Sequence, residues 1–368
     1  MPHKKSIEKP EVGASQSSPV GGTATGLLPG AHWAQLVEQG SGQDESDNGL
    51  ALGDNNSSTA SLASTILEYR MLNGRRYHSE RGNAQYWVSN DEQSNAALDI
   101  NHHVMTLMYG GKLYKAPLKK DIQASGQCKF IHIYNSSSVS SLPPHSDFAD
   151  EFPSTKVIGT DISAIQPSWI PPNLEFQIDD CTQEWTFQEN SLDFVHMRFL
   201  VGSIVDWPAL YKQAYRCLKP GGLIESHEAS PSIGNDDGSV VPTSAMGQWG
   251  QIFFEGGRRL KRPFSILEDK LQTEGMKEAG FVNMEEEEIK VPIGGWPTDL
   301  KLKQAGQYFQ AAILQDIEGT LMFIADLLGW SKAEVDVFGE HYRREIKSNK
   351  IHGYFLQKVV WAQKPETT

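Results

Sequence analysis

Apolar runs punctuate the middle of the chain, and each stops at polar or turn residues. TKVIGTDIS (155–163) alternates and closes on an acid, Asp161, while LEFQIDD (174–180) closes on the pair Asp179 and Asp180. LDFVHMR (192–198) and LKPGGLIESHE (218–228) follow. Each run has the length of a buried strand. Between the last two, DWPALYKQAYRCL (206–218) sets Leu210, Tyr211, Ala214 and Leu218 at helical spacing. Strand, connection, strand, helix, strand predicts a parallel sheet with helical crossovers.

On either side the period lengthens. TASLASTILEYRMLNGRRYH (59–78) predicts a helix capped near Thr59 or Ser61 and broken at Gly74. SNDEQSNAALDINHHVMTLMYGG (89–111) predicts a second, with Ser89 and Glu92 at capping-box spacing and Leu98, His102, Met105 and Met108 along one side. Downstream, 242–260 and 263–280 read as helices, the latter closed by Gly280. FVNMEEEEIKVPIG (281–294) reads as a strand whose glutamates 285–288 mark a solvated edge. A long helical region from Asp299 to Leu328 and a helix over 330–349 precede a final strand, LQKVVWAQKP (356–365). Residues 1–60 are rich in Ser, Gly, Asn and Asp, with AHWAQLVEQG (31–40) as a helix-like island. They read as a mobile tail, with a docking arm for a protein partner as the alternative.

Acids at strand ends carry the chemistry. In an open parallel sheet, ligands lie beyond the carboxyl ends of the strands. An acid closing the second strand of such a unit accepts both hydroxyls of a ribose. Asp161 stands in that position, with Asp179 and Asp180 one strand further on to reach an adenine amino group. The bland alternative is a turn-forming Asp, since Asp often ends strands.

VIGTDISAIQPSWIPPNLEFQIDDCTQEW and then NSLDFVHMRFLVGSIVDWPALYKQAYRCLKPGG closely resemble the fungal class I S-adenosylmethionine-dependent methyltransferases related to the secondary-metabolism regulator LaeA. The resemblance runs from YRMLNGRRYH (69–78) to GYFLQKVVWAQKP (353–365). It implies an α/β fold with a Rossmann-like sheet, mostly parallel and closed by an antiparallel final strand, preceded by N-terminal helices over 61–123. The methyltransferase-like domain then spans 147–368, with a helical cap over 229–350. It further implies S-adenosylmethionine as cofactor, held by Asp161, Ile162, Asp179, Asp180 and Arg198, and a small-molecule acceptor. Cap aromatics Trp249, Phe253, Phe254, Trp296 and Tyr308 suit such an acceptor, and Tyr77, Tyr86 and Trp87 are placed by analogy over the reacting methyl. Both sets are equally what ordinary core packing would use.

One departure stands out. Such enzymes open their sheet with a strand and a D-x-G-x-G-x-G turn, whose glycines let backbone approach the cofactor. Here residues 124–146 read ASGQCKFIHIYNSSSVSSLPPHS, an atypical insert with a single glycine, Gly126, ahead of the apolar run. Pro143 and Pro144 are expected to shorten the following helix. Three accounts fit: KFIHIYN as a substitute first strand with a serine turn, a non-catalytic relative that works as an accessory or scaffold by protein contact, or a mis-spliced stretch in place of the true loop.

Methyl transfer is an in-line displacement, so alignment in a dry site supplies much of the catalysis. A hydroxyl acceptor also benefits from a base. His196, Arg198, His227 and Glu228 end the relevant strands, and His196 is the candidate base by its titration range, unless strand alternation turns it into a helix–sheet interface. A net charge of −13 argues against a general nucleic-acid or anionic-membrane surface. Three cysteines without paired spacing fit a reduced compartment and no thiolate zinc site. The start MPHKKSIEKPE lacks the apolar centre of a signal peptide, so an intracellular location, cytoplasmic or nuclear, is expected.

Overall fold

The computed structural model describes residues 26–38, 70–77, 86–118, 127–132, 144–162 and 170–366. The expected tail, apart from 26–38, lies outside them, as do the expected helix over 59–69 and the serine-rich turn at 133–143. In chain order the first elements are α1 (Gly30–Glu38), β1 (Arg70–Leu72), β2 (Arg75–Tyr77), α2 (Glu92–Met108), β3 (Gln127–His132) and α3 (Pro144–Glu151). Then come β4 (Lys156–Asp161), β5 (Leu174–Ile178), β6 (Leu192–Arg198), α4 (Trp207–Cys217) and β7 (Leu218–Gly234). The chain closes with α5 (Ala245–Leu260), α6 (Leu271–Ala279), β8 (Val282–Pro292), α7 (Leu300–Gln315), α8 (Ile317–Leu327), α9 (Lys332–Ile346) and β9 (Tyr354–Gln363).

A seven-stranded sheet, ordered β5-β4-β3-β6-β7-β9-β8, forms the centre. Strands β3 to β7 pair in parallel, and β9 inserts antiparallel between β7 and β8. This is the Rossmann-like class I methyltransferase topology. The departing segment supplies its first strand: β3 pairs with β4 from Gln127 to Ile131 and with β6 from Cys128 to His132. Strand pairing uses backbone groups, so it survives side chains foreign to a buried strand. Because β3 has neighbours reached by connections running in opposite directions, the chain reverses beside it, where a ligand crevice is expected.

Several local expectations are corrected. Residues 70–77 form a hairpin rather than a helix, because Asn73 and Gly74 both take positive φ, 51° and 81°, as a two-residue hairpin turn demands. Pro144 does not shorten α3 but starts it, a position where its missing N–H is harmless. Helix α2 is capped by Asp91, which accepts from Ser94 N–H, and not by Ser89. The long helix breaks at Asp316, which caps α8 through Gly319 N–H.

The interior has distinct layers. Behind the sheet, α4 and α6 bury Leu210, Tyr211, Ala214 and Met276 against Val195 and Met197. On the other face, Phe148 and Phe152 of the α3 segment meet Phe194 and Cys128. The cap is thus α5, α7, α8 and α9, since α6 and β8 belong to the sheet layers. Its core joins Trp249, Phe253, Phe338 and Tyr342, with Trp249 and Tyr342 stacked at 4.2 Å. Helix α1 adds Trp33, edge-on to Phe338.

Candidate functional site

The acidic rim forms at the carboxyl ends of β4 and β5. These strands pair so that Asp161 lies opposite Ile178, and Asp179 N–H donates to Asp161 O at 2.9 Å. Asp161 is buried; Ile162, which follows it, and Asp179 and Asp180 are half-buried. Asp180 is occupied locally: its Oδ1 accepts from Thr182 N–H at 2.9 Å and from the Thr182 hydroxyl at 2.7 Å. Asp179 Oδ2 is buried, accepts no hydrogen bond and lies 3.7 Å from Lys129 Nζ, an ion pair too long for a hydrogen bond.

Lys129 is foreign to its position. It projects from the middle of β3, an interior strand, 0% exposed, with its ammonium 3.9 Å from the Trp185 ring centroid and 4.3 Å from that of Phe187. Cation–π attraction and Asp179 offset part of the desolvation. Burial still pushes its pKa down to about 8.

Arg198 and His196 share the opposite face of the sheet. Arg198 is buried with its guanidinium 5.1 Å from the Phe199 ring centroid. Nearby, His102 of α2 meets Asp147 of α3 at 3.0 Å; burial lowers the His102 pKa, and the charge of Arg198 adds to that. His196 is buried, 3.4 Å from Glu225 Oε1 across the β6–β7 pair. Glu225 Oε2 in turn accepts from the backbone N–H groups of Lys115 and Ala116 at 2.8 and 2.6 Å. That cluster ties the segment after α2 to the sheet. On the back face, Glu228 receives N–H bonds from Leu200 and Val201 at 3.0 and 2.9 Å, while burial lifts its pKa to about 8. It holds the loop after β6.

Beside the end of β6, over the later part of β7 and the start of β9, lies a cavity of ≈ 240 Å³. Tyr86, Trp87, Phe199, Trp249, Phe253 and Phe309 contribute aromatic walls, so the sheet, α2 and the cap all take part. Phe199 adopts φ 54°, an unusual conformation for a bulky residue, and its ring stands 5.0 Å from His227. The roof is tied by Arg75. Its guanidinium bonds both oxygens of Asp91, at 2.5 and 2.7 Å, both oxygens of Asp316, at 2.6 and 2.8 Å, and Ser89 Oγ at 2.8 Å. One side chain thus joins the hairpin, the start of α2 and the α7–α8 junction.

The structure brings Asp161, Ile162, Asp179 and Asp180 to one rim and sets Arg198 at the end of β6, with β3 between. His196 is not among the residues lining the cavity. Of the aromatics named from the sequence, Tyr86, Trp87, Trp249 and Phe253 line it. Tyr77 packs against Phe323, Trp296 against His352 and Tyr308 against His103. Sequence reasoning missed Arg75, Asp316 and Gln357. A signal existed for Gln357: with Phe355 and Val359 it shares the inward phase of β9, where a polar residue is out of pattern. Among the described residues no cluster suited to a metal ion occurs, and no helix is long and apolar enough to cross a membrane.

The rim thus sets two strand-end carboxylates on neighbouring strands, with a buried oxygen of Asp179 that accepts no hydrogen bond among the described residues. A methyltransferase-domain family model matches residues 146–286. Methyltransferase pytC of Aspergillus terreus is 33% identical over 317 residues, 85% of this chain and 93% of that protein. The secondary metabolism regulator LAE1 of Cochliobolus heterostrophus is 31% identical over 300 residues, 80% of this chain and 95% of that one. Phosphoethanolamine N-methyltransferase 2 of Haemonchus contortus, a solved structure, overlays 79% of this chain and 62% of its own, at 17% identity and a TM-score of 0.41.

Proposed function

The chain belongs to the fungal methyltransferase family that contains pytC and the LAE1-type regulators of secondary metabolism, and from that premise we propose that it methylates a small, flat, largely apolar acceptor from S-adenosylmethionine. The observation that carries this reading is the placement of two sites on one sheet. An acidic rim closes β4 and β5 and an aromatic cavity lies at β6 and β7, with β3 between them. Asp161 would hold the ribose and Asp179 the adenine amino group, with Ile162 against the base. Arg198 stays a proposed cofactor residue through its place at the end of β6. When bound, S-adenosylmethionine supplies a methyl group activated by its positively charged sulfur. The aromatic walls exclude water and orient the acceptor for in-line attack, so no covalent residue is needed. The base role of His196 would require access to the acceptor, and its neighbour is Glu225 instead.

Calorimetric titration with S-adenosylmethionine tests the reading. Saturable binding is expected, with stabilisation of about 2.7 kcal/mol at a hundred times Kd. Absence of heat and of any melting shift at millimolar ligand would overturn it. One observation favours a second reading, a non-catalytic accessory acting by protein contact: Lys129 already pairs with Asp179, competing for the carboxylate an adenine would use.

A further inference from the structure

A buried polar chain runs from α2 through the sheet to the cavity, and its polarity is fixed. Tyr109 OH lies 2.8 Å from His227 Nδ1, and His227 Nε2 lies 2.6 Å from Gln357 Oε1. All three residues are buried, and Gln357 lines the cavity although only 2% exposed. His227 is neutral at ordinary pH, since burial first, then the charge of Arg198, hold its pKa well below the usual value. A neutral imidazole has one N–H and one lone pair. An amide oxygen only accepts, so the proton sits on Nε2 and Nδ1 takes the Tyr109 proton. Turning the amide of Gln357 over would place N–H against the ring. His227 would then donate through Nδ1 to Tyr109, whose own proton has no further acceptor among the described residues. The chain therefore reads Tyr109 O–H to Nδ1, Nε2–H to Oε1, leaving the Gln357 amide N–H₂ to face the cavity. Among the described residues that nitrogen has no acceptor, and Gln357 lines the hollow.

We propose that Gln357 makes this cavity selective for a flat aromatic ligand carrying a carbonyl or comparable acceptor oxygen, which the amide nitrogen binds. His227 and Tyr109 are positioning residues that hold the amide donor-outward. The inference deepens the methyltransferase reading by naming the class of its acceptor, and it rests on that reading only for what happens to the ligand afterwards. A ligand lacking the oxygen leaves the amide buried without a partner, the kind of mismatch that discriminates more sharply than apolar contact.

A matched pair of probes tests this: an acetylnaphthalene and the isopropenylnaphthalene of the same shape, in which a methylene replaces the oxygen. Equilibrium binding to the full chain is read by quenching of tryptophan fluorescence. The ketone should bind about tenfold tighter, the worth of one well-made buried hydrogen bond. Gln357→Met should abolish that preference, chiefly by tightening the alkene, because no buried amide is then left without a partner. Tyr109→Phe should shrink the preference in part, because His227 is then free to turn its tautomer. Equal affinity of the two probes for the unaltered chain, or a preference that persists in Gln357→Met, overturns the proposal, as does failure of both probes to saturate. S-adenosylmethionine binding is measured separately on the same protein. A ketone preference without cofactor binding would sink methyl transfer and leave the selectivity of Gln357 standing.

Discussion

The two regions on the carboxyl edge of the sheet are built by different rules. Around the cavity, most polar groups other than the Gln357 amide nitrogen and Asn101 Oδ1 are committed: Arg75 satisfies Asp91 and Asp316, Ser230 donates to Glu268, and His227 is bonded at both nitrogens. At the rim, Asp161 and Asp179 stand on strand ends beside β3, which buries a lysine among aromatic rings. The difference separates what holds a sheet together from what makes it bind. Strand β3 pairs fully with both neighbours because pairing asks only for backbone groups, and the altered side chains affect the crevice without undoing the fold.

The comparison breaks most visibly at the cavity roof. Arg75→Met strands Asp316 in a buried position without its cation, and loss of a buried partner costs about 3–5 kcal/mol. The urea midpoint should fall accordingly, and hydrogen exchange should rise first in the hairpin, the start of α2 and α8. An unchanged midpoint would mean that the roof is not held by this guanidinium.

At the rim the sign reverses. Lys129→Met replaces a buried ammonium by an apolar side chain of similar length, which removes the desolvation of that charge and should stabilise the fold. Asp179 keeps contact with water and does not become a buried orphan charge, its side chain being 24% exposed. The pH dependence is a second readout. The folded pKa of Lys129 is about 8, below the ordinary 10.5, so between these values the unfolded chain binds more protons. The contribution of Lys129 to stability then rises with pH across that window, by about 3 kcal/mol in all. Chemical denaturation at pH 7 and pH 10 should show this rise as a difference between the natural chain and Lys129→Met, which cancels the opposing titration of Glu228 and the buried thiols. Cofactor affinity should tighten, as Asp179 is released towards the crevice.

How far the sequence revealed these two regions follows from the range of the interactions. Acid-ended strands, the α4 periodicity and the Gly280 cap are local patterns, and they stand where the pattern put them. The Asn73–Gly74 turn was local too, but a helical reading of the preceding residues masked it. Arg75 reaches Asp316 across 241 positions, and no period in the chain encodes that pairing. The break at Asp316 shares this cause: its carboxylate serves a helix cap and a distant guanidinium at once. Lys129 was legible as a residue, but its burial depends on strand order, which only the assembled sheet defines.

Asp161→Asn sharpens the rim's side of the contrast with a smaller effect. Removing the charge but not the shape should weaken S-adenosylmethionine by tenfold to a hundredfold, about 1.5–3 kcal/mol for hydrogen bonds to an ionised acceptor. Calorimetry measures it, and probe binding in the cavity should not move. An unaltered cofactor affinity would remove Asp161 from the rim's chemistry.

The smallest effect is expected at His196, and it decides whether this residue belongs to either region. Its imidazole lies 3.4 Å from Glu225, a carboxylate that already receives two backbone N–H bonds at 2.8 and 2.6 Å. His196→Asn keeps a polar partner of smaller reach, so Glu225 stays largely satisfied and stability should drop by only about 1 kcal/mol. Neither the affinity for S-adenosylmethionine nor the ketone preference of the cavity should change beyond twofold, because the side chain lines neither site. A base acting on the acceptor behaves differently: its removal leaves stability and ligand affinity alone and erases the acidic limb of a rate–pH profile. Melting and binding measured together on His196→Asn therefore separate a strut of the sheet from a proton acceptor. A variant of full stability that binds both ligands yet turns over slowly would restore the catalytic assignment.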